Sequence, residues 1–101
     1  MSLNSLQREN TKKELLANFE LTGLTKSEIA TDFKISQAKL EKIFELKEVK
    51  LEEPWILRNY LLEKVRQAKK KPVPFTALSG DWHKHWFLNS ELIDKQEITE
   101  N

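Results

Sequence analysis

Apolar residues in this chain recur at three-to-four spacing in four successive segments, a repeat that places them on one side of a helix, so the chain is predicted to be all-α. The first segment runs from about Asn4 to Leu21 with Leu15, Leu16 and Phe19 on its core side, and Thr22-Gly23 ends it where glycine supplies a left-handed cap. In the second, Thr25 is placed to cap a helix from Lys26, with Glu28 three residues on to complete a capping box, and Ile29, Ala30 and Phe33 share a face. Ser36 offers the next N-cap, and Leu40, Ile43 and Phe44 form the stripe of a third helix. After a polar link, Lys47 to Glu53, Pro54 sits where a first-turn proline belongs and starts a fourth helix to about Lys70. Its main stripe is Leu57, Leu61, Val65 and Ala68, and Trp55, Ile56, Tyr60 and Leu62 widen it beyond what a helix resting on one layer needs.

Residues 25–46 thus read as two short helices joined by a tight turn, the pattern of a helix-turn-helix, with Ile35 as the buried turn residue. Ala30 fits that pattern, because two steeply crossed helices approach too closely there for a larger side chain. The turn position usually held by glycine is Lys34, which must take a left-handed conformation at some cost or let the turn adopt another shape.

The rest of the chain is less regular. Pro72-Val73-Pro74 is a stiff, extended stop, and the C-terminal extension, residues 72–101, gathers Phe75, Trp82, Trp86, Phe87 and Leu88 within a short stretch. Such a density of large apolar groups is built for burial. The preferred role is a lid on the fourth helix with Trp82 and Trp86 as plugs, and with Asn89 or Ser90 capping a last short helix through Ile93. The competing role is a surface for a protein partner. The whole is predicted to be one domain, 1–101, of four to five helices.

Composition narrows the classes. At 101 residues, 39% hydrophobic and 33% charged, the chain suits one soluble domain, too small for a deep catalytic cleft with its own supporting layers. It has no cysteine, hence no disulfide framework. Met1-Ser2-Leu3-Asn4 leads into the first helix without a basic region and apolar run, and no stretch is long and apolar enough for a bilayer, so the expected location is cytoplasmic, without membrane contact.

Net charge is only +1, but it is unevenly spread. Residues 51–71 carry six bases against three acids, and residues 72–101 carry two against five. Lys69, Lys70 and Lys71 are suited to a solvated helix end, where cations meet the carbonyl end of the helix dipole. They also suit a phosphate clamp with Lys64 and Arg66 beside the helix-turn-helix.

Candidate chemistry beyond that is thin. In an extended segment Asp81, His83 and His85 would share a face, yet a zinc site needs three or four ligands with support, and neither a cysteine nor another histidine completes this one. The histidines are read as local hydrogen-bonding or solvent-facing groups. With no nucleophile elbow and no P-loop, neither catalysis nor a cofactor or metal is expected.

The segments LTGLTKSEIATDF, EPWILRNYL and PFTALSGDWHKHWFLN together resemble a family of bacterial proteins of about this length, known as domain of unknown function 2316. That resemblance spans nearly the whole chain and implies a single bacterial domain without transferring any site. The first third is also similar to the helix-turn-helix of bacterial transcription regulators, which implies a second helix lying in the major groove of double-stranded DNA. Sequence-specific DNA binding in transcriptional control is therefore the expected function. Ser36 would supply a phosphate-capping hydroxyl, Gln37 a base-reading amide, and Lys39 and Lys42 two cations on the exposed side, against which stand Glu41 and Glu45. A homodimer is expected through Trp55, Tyr60 and Leu62, the surplus apolar surface of the fourth helix. The alternative is a protein-interaction or scaffold module on the same fold that does not bind DNA.

Overall fold

Side-chain oxygens start four of the five α-helices in the computed structural model, which describes residues 3–100. Met1 and Ser2, read above as lacking a leader, and Asn101 at the domain's end lie outside the described residues. Helix α1 (Ser5–Thr22) begins at Asn4, whose carboxamide accepts the Gln7 N–H at 2.8 Å while Gln7 Oε1 accepts the Asn4 N–H at 3.1 Å. It closes at Gly23, φ 72°. Helix α2 (Lys26–Phe33) has the capping box expected of Thr25 and Glu28, and Ser36 caps α3 (Gln37–Phe44).

Between them Lys34 takes the left-handed conformation, φ 59° and ψ 43°. The turn closes through Ile35 N–H to the Ala30 carbonyl at 3.0 Å and Lys34 N–H to that of Thr31 at 3.1 Å. This double closure, with Ile35 and Ala30 both buried, offsets the roughly 1–2 kcal/mol that a non-glycine residue loses in that region. The same device, with Leu46 and Lys69 left-handed, ends α3 and α4.

Helix α4 spans Glu52–Gln67, two residues earlier at its start than expected. Glu53 accepts the Lys50 N–H at 3.0 Å and draws the first turn forward, and Pro54 costs nothing at the third position because no N–H in the first turn has an intrahelical partner. Its end also comes early, since Lys69 reverses the chain, which leaves Ala68 exposed rather than on the core stripe.

Helix α4 is the centre of the molecule, with α1, α3 and α5 (Ser90–Lys95) packed on it. Leu57, Leu61 and Val65 are fully buried, and Trp55, Ile56, Tyr60 and Leu62 retain 9% exposure or less. The fold is all-α, and the cover over the wide face of α4 comes from the chain itself, from the C-terminal extension at Trp55 and from Phe33 and Asp32 of α2 at Tyr60. Trp55, Tyr60 and Leu62 are interior residues, so the surplus surface that argued for a homodimer is used within one chain.

The extension is fastened by two polar residues of α1. Buried Asn18 accepts the Val73 N–H at 2.9 Å and donates to the Val73 carbonyl at 3.0 Å, taking the place of a neighbouring strand. Glu14 accepts both the N–H and the hydroxyl of Thr76. Beyond this strap Phe75, Leu78, Leu88, Ile93 and Ile98 are buried, and Asn89 caps α5. Two expectations fail here. Trp86 is 85% exposed, touching Phe87 edge-on, so Trp82 rather than Trp86 packs against Trp55. Leu16 is 45% exposed because Leu15 and Asn18 take the inner face of α1.

Truncation after Pro74 therefore removes five buried apolar side chains, each worth on the order of 1.5–3 kcal/mol, from a domain whose total stability is about 5–15 kcal/mol. The truncated chain is expected to lose its cooperative melt in circular dichroism. A melt like that of the full chain would show that α4 needs no lid.

Candidate functional site

The outer face of α3 is set by what its inner face buries. Leu40, Ile43 and Phe44 enter the core as expected, and Lys39 goes with them. Its ammonium lies 3.0 Å from the carboxylate of Glu53, with the two side chains 7% and 2% exposed. Lys39 is thus not on the exposed side, a correction with a plain cause: Lys39 and Ile43 are one turn apart and share a face, and Glu53 stands on the buried stripe of α4 that continues through Leu57. An acid on one apolar stripe and a base on another were the signals that could have revealed the pair.

What α3 leaves outside is Ser36, Gln37, Ala38, Glu41, Lys42 and Glu45. Glu41 is tied to Lys26 at the start of α2, whose ammonium also lies over the Phe44 ring at 5.1 Å. The Lys42 ammonium stands 3.8 Å from Glu48 and its side chain is half-exposed. Gln37 and Ala38 face solvent at the first turn.

Ser36 carries a contact that sequence did not suggest. Its N–H donates to Glu100 Oε1 at 2.7 Å and its hydroxyl to Glu100 Oε2 at 2.7 Å, while its Oγ still caps the helix by accepting the Lys39 N–H. The hydroxyl bond first, and then the backbone bond, hold the Glu100 carboxyl below its ordinary range. An oxyanion is therefore seated at the positive end of α3 by two donors.

The bases of α4 do not converge. Lys64 lies over the Tyr60 ring at 5.4 Å, on the side where the Tyr60 hydroxyl donates to Asp32 of α2, and burial together with that carboxylate pushes the phenol up. Arg66, two residues on and so on another side of the helix, lines a cleft with Arg58, Trp82 and Asp94. Lys69, Lys70 and Lys71 are exposed at the reversed helix end. Arg58 is held by the Leu78 carbonyl at 2.8 Å and flanked by the Trp55 and Phe75 rings; burial, then Arg66, lowers its pKa.

The two histidines also separate. His83 uses both ring nitrogens, Nδ1 to Asp81 at 2.7 Å and Nε2 to Asp94 at 2.8 Å, and His85 sits against Trp55 and Phe87. Asp94 also accepts from the Trp82 indole. These bonds, Asp94 first and Asp81 second, raise the pKa of His83. Among the described residues no group of three or more acidic or histidine side chains is arranged to hold a metal ion, and no helix is long and apolar enough to cross a membrane.

The chain belongs to the bacterial family described as an uncharacterised protein conserved in bacteria, domain of unknown function 2316, whose profile matches residues 1–89. No curated protein and no solved structure matches it.

Removing one partner of a buried ion pair leaves the other uncompensated, at a cost of about 3–5 kcal/mol, whereas replacing both by apolar groups is often neutral. Glu53→Ala is accordingly expected to lose about that much in urea unfolding, and Lys39→Met combined with Glu53→Leu to recover most of it. A single variant as stable as the double one would remove the pair from this role. Because a protonated His83 donates to both carboxylates, its clamp is complete at low pH and is lost as pH rises through the raised pKa. Its imidazole NMR titration should have a midpoint above that of a free histidine and fall in Asp94→Asn; an unmoved midpoint would contradict the clamp.

Proposed function

We propose that this member of the bacterial family is a DNA-binding helix-turn-helix domain acting in transcriptional control, with α3 as the helix presented to the major groove. The observation that carries the reading is the two-point hold of Ser36 on a carboxylate at the head of α3, the arrangement by which helix starts grip backbone phosphates. Next to it Gln37 is exposed and placed to read a base edge, and Lys42, half-exposed, would exchange its ion pair with Glu48 for a phosphate. Lys39 has no part in this contact; it sets the rotation of α3 through Glu53. In this reading Glu100 occupies the phosphate position and must leave when DNA binds.

A second reading, contact with a protein partner through the C-terminal extension without DNA binding, is favoured by one observation, the 85% exposure of Trp86.

Fluorescence anisotropy with random and then selected duplexes at low salt tests the proposal. Glu100→Gln is expected to tighten binding to all duplexes several-fold. Gln37→Ala should weaken a selected site by about 1–3 kcal/mol and relax one base position, and Lys42→Ala should weaken all sequences alike. Equal affinity for the parent chain and all three variants would overturn the assignment of α3, and loss of partner capture in Trp86→Ala in a chain that binds no duplex would favour the second reading.

A further inference from the structure

Between the first turns of α1, the link from α3 to α4 and the C-terminal strap lies an open groove of about 710 Å³, distant in role from the outer face of α3. Its volume falls in the range of about 300–1,000 Å³ common to small-molecule sites, which pair a mostly apolar lining with a few placed polar groups. The lining is of that kind. Leu46, Pro54, Trp55 and Leu78 form buried walls, and Val49, Ala77 and Phe87 continue them toward the mouth. The His85 ring joins Trp55 to Phe87, with centroids 5.5 and 5.3 Å away.

Charge at the rim is unequal. Arg8, half-buried, donates from Nη2 to the Leu46 carbonyl, which fixes its planar fork of donors at the edge of the apolar wall. Lys50 is a second cation on the rim, and the acid there, Glu48, pairs outward with Lys42. The wall is also held in an uncommon conformation. Leu46 and Glu48, neither of them glycine, are both left-handed, with φ 56° and 52°, and each costs about 1–2 kcal/mol. Helix closure accounts for Leu46; backbone strain held at a cavity wall is a feature that binding sites share.

We infer that this groove binds a small organic carboxylate with an apolar body, an aromatic ring or a medium-length alkyl chain, its carboxylate on Arg8 and its body between Trp55, Leu78 and Phe87. Arg8 matches a planar carboxylate with two parallel donors, and a neutral apolar molecule of the same size leaves that fork unused. The inference stands whether or not the chain binds DNA.

The probe pair is 4-phenylbutyrate and the neutral alcohol 4-phenylbutanol. In the chain carrying Trp82→Phe and Trp86→Phe the remaining tryptophan is Trp55, in the groove wall, and its emission reports occupancy. The acid is expected to saturate the response at submillimolar concentration and the alcohol to bind about tenfold more weakly. Arg8→Gln, which removes the guanidinium fork, should weaken the acid about tenfold and leave the alcohol unchanged. Ala77→Phe, which fills the groove, should abolish binding of both. The melting temperature of the unsubstituted chain should rise with the acid by mass action, a measurement free of the tryptophan changes. A silent Trp55 together with an unshifted melt at millimolar acid, or equal affinities for acid and alcohol, would overturn the inference.

Discussion

The buried pair of Lys39 and Glu53 governs how this protein presents its surface. Two full charges out of water are tolerated only together, so α3 is held against the start of α4 in the one rotation that keeps ammonium and carboxylate 3.0 Å apart. That rotation decides which residues of α3 see solvent. Were α3 turned by the angle of one residue, Lys39 would emerge and a neighbour would enter the core in its place. Glu53 also accepts the Lys50 N–H, so the same carboxylate fixes where α4 begins and how the link approaches it. Orientation of the outer face and geometry of the link thus trace to one side chain.

The second constraint is the width of the apolar face on α4. A helix buried nearly all round needs cover from every direction, and the chain provides it with α1, α3 and its own extension. The extension has little regular structure with which to satisfy its backbone, and Asn18 and Glu14 on α1 supply the missing partners for Val73 and Thr76. The arrangement brings residue 100 back to residue 36, and it leaves the groove beside Arg8 where strap, link and α1 meet without filling the space between them.

The parts of this fold that were legible in sequence depend on neighbours three or four residues apart. Thr25 with Glu28, Ser36 before α3 and Gly23 after α1 each satisfy backbone groups within a single turn, and local order reveals them. Lys34 was legible as a tension between turn and residue type, and it resolves as a left-handed lysine secured by two hydrogen bonds. What could not be read rests on contacts between distant residues. The place of Lys39 depends on Glu53, the burial of Trp55 depends on a tail more than twenty residues on and that of Tyr60 on Phe33 and Asp32 of α2, and Ser36 meets a partner 64 positions away. Aromatic density in the extension signalled burial, but only the path of the strap determines that Trp82 faces Trp55 while Trp86 faces water.

Contact between the outer face of α3 and DNA is the centre of the proposed function. Backbone amide mapping by NMR during titration with duplex reads that face directly. Shifts concentrated at Ser36, Gln37, Ala38 and Lys42, with Glu100 changing as it leaves Ser36, are the predicted result. Shifts confined to α5 and the residues around Trp86, or none at saturating duplex and low salt, would contradict it.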